Sequence, residues 1–139
     1  ETLDARWKKL RKLGRKHDRL DAEKLHRLRI RGKKLRYAGE AFASLFQGKH
    51  TEPYLNRVEA LQETLGSLND AATAERLLAE AHPRIAAASE GGTCTADAAT
   101  AAVRGWLAAQ VDRDTRHLEA AWAAVADAGK FWRKKPARA

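Results

Sequence analysis

Apolar residues recur at three- and four-residue steps along most of the chain, and no stretch alternates apolar and polar positions long enough to make a strand. Trp7, Leu10 and Leu13 form one stripe and predict a first helix over residues 2–16. A second stripe, Leu28, Gly32, Leu35, Gly39, Phe42 and Phe46, predicts a long helix from Ala22 to Phe46 with Asp18 or Asp21 as its N-cap. A glycine inside a helix costs about 1 kcal/mol relative to alanine. Gly32 and Gly39, seven apart on the buried side, therefore predict a neighbouring helix packed unusually close.

Residues 47–53 break the pattern, and Pro53 suits the first turn of a third helix. Leu55, Val58, Leu61, Gln62 and Leu65 face its core side. Gly66 to Asp70 reads as a helix junction, followed by a fourth helical stretch through Leu77 and Leu78 to about Glu80, with Pro83 interrupting or restarting helix. Ser89 to Thr95 reads as a flexible loop. Asp97 is expected to cap a last long helix ending near Ala128, with Val103, Trp106, Leu107, Val111, Leu118, Trp122 and Val125 inward. The expected fold is all-α: one antiparallel bundle of about four to five helices across 1–139, its second and last helices long.

Composition agrees with this pattern. Helix formers dominate, β-branched residues are scarce, and 44% apolar with 32% charged residues suits a folded helical chain of 139 residues. The single cysteine, Cys94, rules out an internal disulfide and a thiolate zinc site within one chain, and it fits a reducing cytosol. No run of about 18 apolar residues predicts a membrane span, and no signal-peptide pattern opens the chain. The start at Glu1 and the absence of methionine suggest a fragment of a longer protein.

Charge changes the picture more. The formal net charge is +9, but between Arg6 and Arg36 fifteen Lys and Arg face only three acids. The rest of the chain is net acidic, with twelve basic residues and fifteen acids. A concentrated basic region creates a local field that attracts anions. Six Lys and Arg lie between 27 and 36. At 100° per residue, His26, Arg29, Lys33, Arg36, Tyr37 and Glu40 share an arc of about 100°, while Arg27, Arg31 and Lys34 occupy the remaining unburied side. The row from His26 to Arg36 spans about 15 Å of helix, enough to meet several neighbouring phosphates of an extended polymer. Like charges at these spacings repel by a few tenths of a kcal/mol per pair, and a bound polyanion relieves that repulsion.

Residues 26–40, HRLRIRGKKLRYAGE, resemble the signature of the CHAD domain, a family named for a histidine in an α-helical domain. The stretch 61–70, LQETLGSLND, resembles the family's turn between later helices, and Phe131-Trp132 fits its C-terminal close. The resemblance spans nearly the whole chain. It implies binding of inorganic polyphosphate, with His26, Arg29, Lys33, Lys34 and Arg36 at the motif's basic positions, Arg27 beside them and Tyr37 at its aromatic position. Members typically have two bundle-like halves whose basic helices line a central groove; some are fused to triphosphate-tunnel enzymes and some associate with storage granules. This chain has one such motif and resembles the C-terminal half, so an N-terminal half-domain or a second copy is expected to complete the site.

Two other classes compete. A basic helix can enter a nucleic-acid groove, although this one lacks the Asn and Gln that often read bases. A phosphoryl-transfer enzyme would rest on His26 alone, with Glu40 on the same face as a candidate acid. No P-loop, H-E-x-x-H or EF-hand pattern occurs, and no cofactor or metal is expected. Asn69-Asp70 could help bind a cation or orient a basic residue, but a helix-capping role at the expected junction is favoured. Lys130, Arg133, Lys134 and Lys135 either extend the basic surface or form a frayed tail. Cys94 reads as an incidental surface thiol.

Overall fold

The structure is a computed structural model that describes residues 2–16, 21–46 and 49–133. Four α-helices and two short 3-10 turns account for nearly all of these residues, and no strand occurs among them. Helix α1, Leu3–Gly14, starts at Thr2, whose hydroxyl accepts from the Ala5 amide. Helix α2, Ala22–Phe42, starts at Asp21, whose carboxylate accepts from the Lys24 amide and pairs with the Lys24 ammonium. The side-chain bond to Lys24 holds the Asp21 carboxyl below its ordinary range. The alternative cap, Asp18, lies outside the described residues, as do Lys134, Lys135 and Pro136. Helix α2 ends four residues earlier than its stripe predicts, because Ala43–Leu45 tightens into a 3-10 turn. Phe42 is consequently exposed.

The largest departure from expectation comes next. Helix α3 runs unbroken from Thr51 to Ala88, 38 residues or about 57 Å. It passes straight through Gly66–Asp70 and through Pro83, so the expected third helix and fourth stretch are one element. Gly66 carries no strain in a helix, and packing from Leu65, Leu68 and Ala71 outweighs its weak propensity. Pro83 sits five residues before the end on the exposed side, where water can reach the Ala79 carbonyl that loses its N–H partner. Ser89, Glu90 and Gly91 make the turn, and helix α4, Gly92–Ala126, follows at once. The flexible loop expected over 89–95 is thus three residues long, closed by a bond from the Gly92 amide to the Ser89 carbonyl with Gly92 at φ +56°. Asp97 lies one turn inside α4, not at its cap; its carboxylate takes a 2.7 Å bond from His82 Nε2 across the turn. Cys94 is exposed in the first turn of α4.

Sequence neighbours pack antiparallel. Arg6 donates to the Lys34 carbonyl and Arg31 to the Lys9 carbonyl, which sets α1 against α2. His26 meets Asn69, Arg29 lies over Gly66, Gly32 faces Gln62, Arg36 meets Glu59 and Gly39 touches Leu55, which sets α2 against α3 in one register. Ser67 bonds Asp114 and Arg104 pairs with Glu75, which sets α3 against α4. The two helix glycines behave differently: a Cβ at Gly39 would come within 2.7 Å of Leu55, whereas one at Gly32 would make an ordinary 3.6 Å contact with Gln62. Close approach is therefore confined to the Gly39 end.

One cluster forms the core: Leu3, Trp7 and Leu10 of α1, Leu28 and Leu35 of α2, Tyr54 to Leu68 of α3, and Leu118, Trp122 and Val125 of α4. Trp7 stacks on Trp122 with ring centroids 6.3 Å apart. Phe131 closes the base against Phe46 and Tyr54, whose phenol is pushed well above its ordinary pKa by burial. Lys130 donates to Asp4 at 3.2 Å, tying this closure to α1 and holding the Asp4 carboxyl below its ordinary range. By the α2–α3 register, α2 starts opposite about residue 73 of α3, so the α3–α4 hairpin runs on for about 20 Å beyond it. Three expectations are corrected: Val103, Trp106 and Val111 are exposed rather than inward, Trp106 at 65%, while Ala96, Thr100 and Leu107 hold the buried face of α4 in this stretch.

Candidate polyanion-binding face

The charge excess is carried by one layer of the bundle. Helices α1 and α2 together hold twelve Lys and Arg against three acids; residues 51–126, which include α3 and α4, hold six against eleven. Among the twelve, Lys8, Lys9, Arg11, Lys12, Arg27, Lys33 and Lys34 are exposed.

The structure divides the row expected from the helical wheel into a crest and a seam. On the crest of α2, His26, Arg27, Lys33, Lys34 and Tyr37 are exposed. Arg27 is screened by Glu23 one turn back, at 3.4 Å. Lys33 and Arg36 lie on the Tyr37 ring, 5.5 and 5.4 Å from its centroid, so the aromatic spaces two cations and keeps them extended. Lys34 sits toward α1, where its carbonyl accepts from Arg6. In the seam between α2 and α3, Arg29 and Arg36 are half-buried. Arg29 Nε passes 3.9 Å from where a Cβ of Gly66 would stand, an ordinary contact distance that lays the guanidinium over α3. Arg36 Nη1 bonds Glu59 Oε1 at 2.6 Å, and its Nε lies 3.3 Å from Glu40.

These contacts bring three residues of α3 to the row, of which only Glu59 is not singled out by the sequence pattern. Glu59, Gly66 and Asn69 on α3 each face one member of the row. Asn69, favoured above as a helix cap, sits mid-helix and orients His26 instead. Glu59 relieves part of the like-charge repulsion along α2 without a ligand, since it gives Arg36 a carboxylate partner from the neighbouring helix. His50, His82 and His117 lie on other elements, and Lys130 and Arg133 pair with Asp4 at the base.

Other concavities have different chemistry. An apolar groove of about 610 Å³ lies under the hairpin overhang, lined by Leu25, Leu68, Ala72, Leu107, Val111 and Leu118. Its few polar groups include Asn69 and the Glu75–Arg104 pair. Among the described residues no group of three or more His, Cys, Asp or Glu could hold a metal ion, and no helix is long and apolar enough to cross a membrane.

A family model described as the CHAD domain matches residues 1–79, which take in α1, α2 and most of α3. No curated protein and no solved structure matches the chain.

Proposed function

We propose, since this chain belongs to the CHAD domain family, that it is a non-catalytic module binding inorganic polyphosphate through the basic face of α2. The observation that carries this reading is the exposed crest of His26, Arg27, Lys33 and Lys34, backed by Arg29 and Arg36 along the α3 seam and spaced by Tyr37. Guanidinium forks and ammonium groups suit phosphate oxygens, and a row about 15 Å long matches an extended chain of phosphates rather than a single one. The basic surface of α1 widens this face. In this reading the chain is the C-terminal half of a two-repeat domain, and an N-terminal half or a second copy supplies the opposite wall.

Nucleic acid is the second reading, favoured only by the charge. Competition separates the two. Long-chain polyphosphate should displace a labelled oligonucleotide at a far lower phosphate concentration than the reverse; equal potency sinks the specific reading. Affinity should also fall steeply with salt, because binding releases counterions.

Glu59 and Glu40 compete with the ligand for Arg36. Glu59→Gln keeps the shape of the side chain and removes its charge. Polyphosphate affinity at low salt is expected to rise about three- to tenfold, the scale of one charge contact at a half-exposed site. Fluorescence titration of the variant beside the wild type measures it, and an unchanged or weaker affinity removes Glu59 from the site.

A further inference from the structure

His26 is the one crest residue whose ring is held by another helix. Its Nδ1 lies 3.0 Å from Asn69 Oδ1, across the α2–α3 seam. A carbonyl oxygen only accepts, so Nδ1 must carry the hydrogen of this bond. The tautomer follows: the neutral ring has Nδ1–H donated to Asn69 and a bare lone pair on Nε2. That lone pair repels a phosphate oxygen. The ring becomes a donor to an anion only when Nε2 is protonated as well, and the charge then favours the same contact.

We propose that Asn69 is a positioning residue that makes His26 a proton-coupled ligand: it locks Nδ1–H, so engaging polyphosphate through Nε2 takes up one proton from solvent. This rests on the polyphosphate reading above and extends it to a residue on α3 and to a proton. By helix register the charged residues nearest His26 are Glu23, Arg27 and Arg29 on α2 with Lys33 beyond them, Asp70 beside Asn69 on α3, and Arg15 and Lys16 past the end of α1. A polyanion brought against Nε2 favours the form of the ring that donates there. Binding should therefore be tighter at low pH and lose the His26 contribution as pH rises.

Two measurements on the full chain test this. Long-range ¹H–¹⁵N spectra at about pH 8.5, where an ordinary imidazole is neutral, should show the His26 ring as the Nδ1–H tautomer. Asn69→Ala should abolish that preference and Asn69→Asp, which keeps an acceptor, should retain it. An Nε2–H tautomer in the wild type overturns the proposal. Calorimetric titration with long-chain inorganic polyphosphate, in two buffers of different ionisation enthalpy near pH 7.5, should show uptake approaching one proton in the wild type and near zero in His26→Gln. Asn69→Ala should weaken binding about three- to tenfold, and by nothing further in the His26→Gln background. Uptake that persists in His26→Gln, or an Asn69→Ala loss of equal size in both backgrounds, overturns it. If polyphosphate does not bind at all, the functional reading and the coupling fall together, while the spectra still decide whether Asn69 sets the tautomer.

Discussion

Replacing Arg29, Lys33 and Arg36 together by alanine is expected to lower polyphosphate affinity at least about 100-fold while leaving the helical circular-dichroism signal intact. Each side chain contributes a charge-assisted contact worth about 1.5–3 kcal/mol when partly desolvated and less when exposed. Lys33 is exposed, whereas Arg29 and Arg36 lie half-buried in the seam, where contacts are screened less. A combined loss of about 3 kcal/mol after screening corresponds to two orders of magnitude. Helix content should survive because alanine is the best helix former and the change removes like-charge repulsion along α2. The informative control removes the same charge elsewhere: Arg76, Arg84 and Arg116 to alanine, on α3 and α4, should weaken binding only modestly. Equal losses in the two triple variants would mean that net charge, not this face, binds the polymer.

Gly14→Ala should produce the larger structural effect. A Cβ at Gly14 would stand 2.2 Å from two ring carbons of Trp122, and that ring cannot step aside because it stacks on Trp7 inside the core. Overpacking of this kind costs about 1–3 kcal/mol or more, against about 1 kcal/mol of helix propensity gained. A net loss of about 2 kcal/mol should lower the melting temperature by roughly 5–10 °C. The same substitution at Gly105, in the middle of α4 with open space around it, should raise it. Thermal melts of the two variants give opposite signs if the tight contact is the cause; two stabilised proteins would mean that Gly14 is not pressed against Trp122.

The α1 and α2 stripes were legible because each helix buries a single face along its whole length and starts at a polar N-cap. Helices α3 and α4 were harder to read for a physical reason. Over 38 and 35 residues each packs on different partners at its two ends, so its apolar positions do not keep one phase. Gly66 and Asn69-Asp70 carry the composition of a junction, yet no local signal says that Leu65, Leu68 and Ala71 are buried against two neighbours at once. Trp106 shows the opposite failure: a large aromatic in an amphipathic helix suggests a core position, but at 100° per residue it stands about 100° or more from the face that buries Leu107, Leu118 and Trp122. At the candidate face, the wheel grouped His26, Arg29, Lys33 and Arg36 from spacing alone. It could not tell which of them α3 holds, since Glu59, Gly66 and Asn69 are 23 to 43 residues away in sequence.

The placement of nearly all the positive excess in one layer, over a hairpin that is net acidic, makes the molecule an electric dipole directed from α3–α4 toward α1–α2. Near a polyanion such a body feels a torque as well as an attraction, over a reach of about 8–10 Å at physiological salt. It turns before it touches. Encounters then begin with the α1–α2 layer foremost, and the acidic hairpin, with the exposed Trp106 on it, is left pointing away from the polymer.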